Sequence, residues 1–383
     1  MSNHKDKHKS AKESVENSKS IVIKLGTSTL THGGKKLDRA HMLEIVRVVA
    51  KMREAGHKVT LVSSGAMAAG RELVENAYSL PPVLSSKQLL ASVGQGRLIE
   101  VWASLFAIYN IHIGQLLLTR ADLENRERFL NARDTLFALL DNGIVPVINE
   151  NDALSTAEIK VGDNDTLAAI TACAIEADQL ILLTDQKGLF DADPRSNPDA
   201  KLISEVKHID DKIFSLAGGS GTSLGTGGMY TKVKAASIAT KGGVELVIAS
   251  GSDPLVMLDL IEDRGEGTFF RTDASPMELR KVWLSSTTKP SEAIVIDDGA
   301  VSALKERGSS LLPSGIVAIK GEFLRGAVVS ITTNTGEIIG KGIVRYSSGE
   351  CGQICGCKAD EIEERLGFSN GVVIHRNDLV VND

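Results

Sequence analysis

The sequence has no run approaching the roughly 18 consecutive apolar residues that a membrane-spanning helix requires. Its first twenty residues are polar, without the apolar stretch of a secretion signal. Both absences point to a cytoplasmic protein. Only four cysteines occur in 383 residues, Cys173, Cys351, Cys355 and Cys357, so no disulfide framework is expected and reduced thiols are the default. The last three lie close together, but their spacing on a Gly-rich stretch lacks the pattern of a zinc knuckle. They are read as adventitious thiols, with no resident metal. A basic surplus is also missing: the formal net charge is −6, whereas proteins whose main partner is a polyanion usually carry excess Lys and Arg. Two glycine signatures for nucleotides are absent as well. No G-x-x-x-x-G-K-[ST] string occurs, the nearest being Gly336 to Lys341, one residue short, and no G-x-G-x-x-G follows a strand-like run.

What remains is ordinary globular composition, 42% hydrophobic and 24% charged, over a length that favours two domains. Apart from Met1, residues 1 to 19 contain Val15 as their single large apolar residue. They cannot bury enough surface to offset the entropy of ordering, and a disordered tail is expected there. From Ile21 onward, short β-branched runs alternate with longer amphipathic segments: IVIKLG, KVTLVSSG, IHIGQLLLT, GIVPVINE, DQLILLTD and ELVIAS. That alternation predicts parallel strands joined by crossover helices, an α/β fold. Between the first two runs, Leu43, Ile45, Val46, Val49, Ala50 and Met52 make an apolar face at helical spacing, and Gly56 stands where a helix ends. Near Lys289 and Pro290 the pattern shifts to AIVIDDG, GIVAIKG, AVVSITTNTG, GKGIVRYSS and VVIHRNDLVV. Short strands punctuated by Gly, Ser and Asn predict a small β-rich module or barrel. The boundary is placed between about 275 and 290, giving a first domain over 20–280 and a second over 289–383.

In open parallel sheets ligands bind beyond the carboxyl ends of the strands. Four runs close on polar residues: Lys24-Leu25-Gly26-Thr27, Ser63-Ser64-Gly65-Ala66, Asn149-Glu150-Asn151-Asp152 and Thr184-Asp185. Placed side by side, they would gather a cation, two glycine turns and several carboxylates in one crevice. Gly26 and Gly65 suit close approach of backbone N–H groups to an anion, although an ordinary strand-to-helix turn would account for either alone. Lys24 interrupts an apolar strand, and a buried ammonium needs a phosphate or carboxylate partner. Two further segments add to this set. Gly162 to Thr166, GDNDT, places Asp163, Asn164 and Asp165 just before a helical run, more polar residues than an N-cap requires. Gly218 to Lys232 is Gly-rich and ends in Thr231-Lys232 at a helix start, where N–H donors and an ammonium suit phosphate oxygens.

Taken in order, IVIKLGTS, LVSSGAMAAGR, TRADLENRERFLNARDT, PVINENDALSTAEIKVGDNDTLAA, LLTDQKGLFDADPRSNPDA and GTGGMYTKVKAA resemble the glutamate 5-kinases, the γ-glutamyl kinases of the amino acid kinase family. The resemblance covers nearly all of residues 20 to 275, and the segment from about 289 to 383 resembles the PUA domain, a small pseudo-barrel. It implies an open, mostly parallel sheet between helical layers, and transfer of phosphate from MgATP to L-glutamate in the first step of proline biosynthesis. Carried over, Lys24 and Lys232 match phosphate-contacting lysines and Asp165 the aspartate that organises them. Ser64, Asp152 and Asn164 match glutamate-binding positions. Thr184, Asp185 and the loop of Thr226, Gly227, Gly228, Met229, Tyr230, Thr231 and Lys232 match nucleotide-binding segments. Tyr230 departs from the pattern, standing where a small residue is expected. The family also implies a homo-oligomer, dimeric or tetrameric, and feedback inhibition by proline. A sister kinase acting on another carboxylate or on carbamate is the nearest alternative, and the NEND and GDND strings argue against it. RNA binding through the second domain is disfavoured by its charge, 13 acidic against 10 basic residues from Lys289 to Asp383.

Overall fold

The structure is a computed structural model and describes residues 18–154, 164–194, 196–218, 228–275, 277–278 and 290–382. The expected disordered tail and the expected boundary segment fall wholly or largely outside these residues. The chain divides into two compact units, Met1–Pro276 and Met277–Asp383.

The first unit is built on β1 (Ser20–Leu25), β2 (Lys58–Ser63), β3 (Ile113–Leu118), β4 (Val145–Glu150), β5 (Gln179–Thr184), β6 (Glu205–Val206), β7 (Glu245–Ser250) and β8 (Thr268–Phe270). They form one sheet in the order β3-β4-β2-β1-β5-β7-β8-β6. The strands from β3 to β7 pair in parallel, and β8 runs antiparallel to β7. Parallel strands need crossovers, and helices supply them on both faces. The two faces follow from the period-2 alternation of strand side chains. In β1, Ile21, Ile23 and Leu25 pack into one core with Met42, Ile45, Val49, Leu98 and Trp102. These come from the helices Arg39–Glu54 and Leu84–Ala107. Val22 belongs to the opposite core, with Leu180, Leu182, Leu167, Ala168, Val233 and Ala236, beside the helices Asn164–Ala174 and Met229–Lys241. Each fully buried aliphatic side chain of this kind contributes about 1.5–3 kcal/mol. The same alternation decides the setting of Lys24: it shares the face of Val22, the face covered by those last two helices.

Asp38 opens the helix Arg39–Glu54, its side chain accepting from the His41 N–H. Ala55 closes that helix, and Gly56 follows with a left-handed φ of 95°, as expected of a glycine just past a helix end. The helix Ala66–Leu73 lies so close to Leu84–Ala107 that a Cβ on Gly94 would stand 1.8 Å from the Ala66 carbonyl oxygen. Any side chain at Gly94 would therefore push the two helices apart.

The second unit contains β9 (Ala293–Ile296), β10 (Ile316–Lys320), β11 (Val328–Thr333), β12 (Ile338–Ile343) and β13 (Leu379–Val381), in the order β10-β9-β11-β12-β13. β9 and β11 are parallel, and the other pairs are antiparallel. Helices that a strand-only pattern does not anticipate cover this sheet. Asp297, which the sequence pattern puts at the tail of a strand, instead caps the helix Asp298–Arg307 by accepting from the Ala300 N–H. The run VVIHRNDLVV likewise yields only β13, because Arg376–Asp378 makes a 3-10 turn before it. Cys351 and Cys357 sit in this unit's apolar core beside Tyr346 and Ile362. Burial pushes the Cys351 thiol up to about 12, so it carries negligible thiolate near neutral pH.

Candidate active site

β4, β2, β1 and β5 are consecutive neighbours, so the four polar strand ends singled out in the sequence do come together. A cleft of about 380 Å³ opens there. Among its lining residues are Lys24, Gly26, Ser64, Gly65, Asp152, Asn164, Thr184, Asp185 and Lys232.

At the floor lies a charged cluster. Lys24 projects from the carboxyl half of β1, and its Nζ is 2.6 Å from Oδ1 of Asp165. Lys232, in the first turn of the helix Met229–Lys241, reaches Oδ2 of the same carboxylate at 3.1 Å. The Thr231 hydroxyl donates to that oxygen at 3.0 Å. Asp165 is fully buried, with Lys24 and Lys232 only 5% and 3% exposed. Burial by itself raises the pKa of such a carboxyl, but the two ammonium groups outweigh it and hold Asp165 below the usual carboxylate range. A lone buried charge would be strongly unfavourable, so the three groups depend on one another. One carboxylate fixes two cations brought from adjacent layers, one from the sheet and one from a helix.

The second part of the site is neutral. Asn164 and Asp165 are the first residues of the helix Asn164–Ala174. They therefore belong to the helix itself, whereas the sequence pattern places them just before it. Asn164 Nδ2 donates to Ser64 Oγ at 2.8 Å and to Asn149 Oδ1 at 3.0 Å. Asn149 is buried and donates through Nδ2 to Gln95 Oε1 at 2.8 Å, while its Oδ1 accepts from the Glu150 backbone N–H at 2.9 Å. Beneath Ser64, the Trp102 indole N–H donates to Ser63 Oγ at 3.0 Å, and that hydroxyl donates to the Ser64 carbonyl. The strand end is thereby tied to the helix Leu84–Ala107.

Gly65 has φ 102°, a left-handed conformation that favours glycine, and it opens the helix Ala66–Leu73 without any side-chain cap. Gly65, Ala66, Met67 and Ala68, which open that helix, line the cleft. Gly26 likewise precedes the short helix Thr27–Leu30 uncapped, with an ordinary extended backbone. Thr184 donates to Asp185 Oδ1 at 3.0 Å at the end of β5. Gly228 N-caps the helix Met229–Lys241 with no side-chain cap. Thr226, Gly227, Gly162 and Asp163 lie outside the described residues. Tyr230, the departure noted in the sequence, stacks obliquely on Phe214, their ring centroids 5.6 Å apart. It fills space that a small residue would leave open.

The fold also brings in residues that the sequence pattern does not single out. Ser28, Met67 and Arg71 line the same cleft, beside Thr27 and Glu150 from the polar strand ends. Arg71 was accessible to helical-wheel reasoning, because it lies four residues beyond Met67 on the helix that begins after Gly65. Gln95 was not, because only tertiary packing brings the helix Leu84–Ala107 beneath β4.

The amino acid kinase family model matches residues 19–250, and the PUA domain model matches residues 292–366. Glutamate 5-kinase of Sodalis glossinidius is 55% identical over 368 residues, covering 96% of this chain and 100% of that protein. Glutamate 5-kinase of Haemophilus influenzae is 55% identical over 368 residues, with 95% and 99% covered. That of Erwinia tasmaniensis is 55% identical over 369 residues, with 96% and 100% covered.

Proposed function

The chain belongs to the amino acid kinase family, in its glutamate 5-kinase group, and we propose that it transfers the γ-phosphoryl group of MgATP to the γ-carboxylate of L-glutamate. The products are γ-glutamyl phosphate and ADP, the first step of proline biosynthesis. The observation that carries the reading is the buried Lys24–Asp165–Lys232 cluster on the floor of a cleft whose other side is the neutral Ser64–Asn164–Asn149 network.

In this reaction a carboxylate oxygen of glutamate attacks the γ-phosphorus, a new P–O bond forms, and the bond to the bridging oxygen of ADP breaks. The nucleophile is already ionised at neutral pH, so no general base is needed. Asp165 is then an organiser of lysines and takes no proton: its depressed pKa keeps it charged. The protein's task is to position the reactants and neutralise charge on the transferring group and on the leaving oxygen. Lys24 and Lys232, anchored on opposite oxygens of Asp165, are placed to flank that group. Thr184, Asp185 and the segment entering the helix Met229–Lys241 hold the nucleotide, and the uncapped N–H groups at Gly26 and Gly65 face its phosphates. Magnesium enters as part of the substrate MgATP and is held chiefly by phosphate oxygens, as is usual for this ion.

Glutamate also carries an α-ammonium and an α-carboxylate. Asp152 supplies a carboxylate for the ammonium. Arg71, which forms no ion pair among the described residues, is the guanidinium available to the α-carboxylate. A hydroxamate assay tests the reaction directly, because hydroxylamine traps an acyl phosphate. Product should form only with MgATP and L-glutamate together. Hydroxamate with aspartate or acetylglutamate but none with glutamate would refute the reading.

A further inference from the structure

Asn164 touches two groups through the same atom, and its amide polarity can be derived without assuming how the amide was placed. The starting point is the Glu150 backbone N–H, which can only donate. It lies 2.9 Å from one atom of the Asn149 side chain, so that atom is the acceptor oxygen. The Asn164 atom 3.0 Å from that oxygen must in turn be a donor, hence nitrogen. Its second N–H goes to Ser64 Oγ at 2.8 Å. The Asn164 amide is therefore held with its nitrogen fully used. Its Oδ1 is buried and lacks a hydrogen-bond partner among the described residues, in a side chain that lines the cleft. A buried acceptor left without a donor is unfavourable, and a ligand bound in the cleft that Asn164 lines can supply that donor.

We propose that Asn149 is a positioning residue: pinned by the Glu150 N–H and held on its far side by Gln95, it locks Asn164 with its carbonyl oxygen available to the α-ammonium of the substrate. The inference rests on the proposed glutamate reaction and deepens it. Selectivity for an amino acid over the corresponding plain dicarboxylate then has two acceptors, the Asp152 carboxylate and the Asn164 amide oxygen. Without Asn149 the amide keeps only the Ser64 hydroxyl, which can donate or accept and so does not fix which end of the amide faces the cleft. Asn149 does not line the cleft, so it acts on the substrate only through Asn164.

The test compares L-glutamate with glutarate, which has the same two carboxylates and no ammonium, using full-length protein. Asn149→Leu removes the acceptor that orients Asn164. Asn149→Asp keeps an acceptor for both the Glu150 N–H and Asn164, and Gln95 can turn its amide to donate to the new carboxylate. The expected result for Asn149→Leu is a rise of about tenfold in the glutamate KM, with the glutarate inhibition constant changed by less than about twofold. Asn149→Asp should restore the glutamate KM to within about threefold of the parent. Equal losses for glutamate and glutarate would show a merely structural residue and overturn the proposal, as would an unchanged glutamate KM in Asn149→Leu. If Asn149→Leu does not accumulate as folded protein, Asn149→Asp alone decides: kept preference for glutamate over glutarate is expected, and lost preference overturns the proposal. Absence of any glutamate-dependent turnover in the parent would instead refute the proposed reaction, and the positioning role would fall with it.

Discussion

The two sides of the cleft solve the problem of burying polar groups in opposite ways. On the side proposed for phosphate, one carboxylate and two ammonium groups are taken out of water together, and each is tolerable only because the others are there. On the substrate side the links are neutral, running from Gln95 through Asn149 and Asn164 to Ser64. Charge belongs where charge moves: during phosphoryl transfer negative charge is redistributed towards the leaving oxygen, and fixed cations stabilise that change. The amino acid end of glutamate keeps its charges throughout, so the partners proposed for it, Asp152 and Arg71 beside the neutral network, would hold it equally before and during the transfer. The contrast predicts two kinds of failure, catalytic on one side and binding on the other.

The largest effect is expected at the centre of the charged side. Asp165→Asn leaves two buried ammonium groups without their shared carboxylate, at a cost of about 3–5 kcal/mol in stability, and should reduce kcat by about 10³-fold. Because the folded-state pKa of Asp165 is depressed, its contribution to stability is fully present above the unfolded value of about 4 and is lost as pH falls through the lower folded value. The gap in Tm between parent and Asp165→Asn should therefore be widest near neutral pH and shrink under acid conditions. Thermal unfolding across pH checks this, and a gap that widens in acid would contradict the ion-pair account.

Next comes Lys232→Ala, which removes one of the two cations proposed to face the phosphoryl group. kcat should fall by roughly 10²-fold or more while the glutamate KM changes far less. Asp152→Asn probes the other side: the α-ammonium it is proposed to hold does not change charge in the reaction, so the main effect should be a higher glutamate KM, with a smaller loss of kcat. Steady-state kinetics at saturating MgATP separates the two. If Lys232→Ala altered only KM, or Asp152→Asn only kcat, the division of labour drawn here would be wrong.

The smallest effect concerns the second unit. Every residue of both cleft sides lies in Met1–Pro276, so a chain ending shortly after Pro276 is expected to remain soluble and to keep glutamate-dependent hydroxamate formation. Loss of all soluble protein on that truncation would show that the first unit does not stand alone.

Much of this is legible in the residues. The β-branched runs announce a parallel sheet, and the rule that ligands gather beyond strand carboxyl ends picks out Lys24, Ser64, Asp152 and Thr184 from the polar ends of those runs alone. The second unit is less legible, since Asp297 and Asp298 read as the end of a strand, whereas Asp297 caps the helix Asp298–Arg307. Local pattern cannot tell a short strand that stops from one that continues when the next residues can also cap a helix. The three neighbouring cysteines are similarly ambiguous, and packing sends Cys351 and Cys357 into the core.

The sequence by itself determined what the period-2 and helical repeats encode: the strands, the two faces of the sheet, and the singular position of Lys24 on an otherwise apolar strand. Tertiary structure alone decided which groups meet. Lys24 and Asp165 touch because alternation turns Lys24 toward the face on which the helix Asn164–Ala174 packs. Gln95 reaches Asn149 because the helix Leu84–Ala107 lies against the same strand ends. The reason is physical: a hydrogen bond or ion pair between residues far apart in the chain leaves no periodic trace in it, since its geometry exists only once the cores on both faces of the sheet have closed.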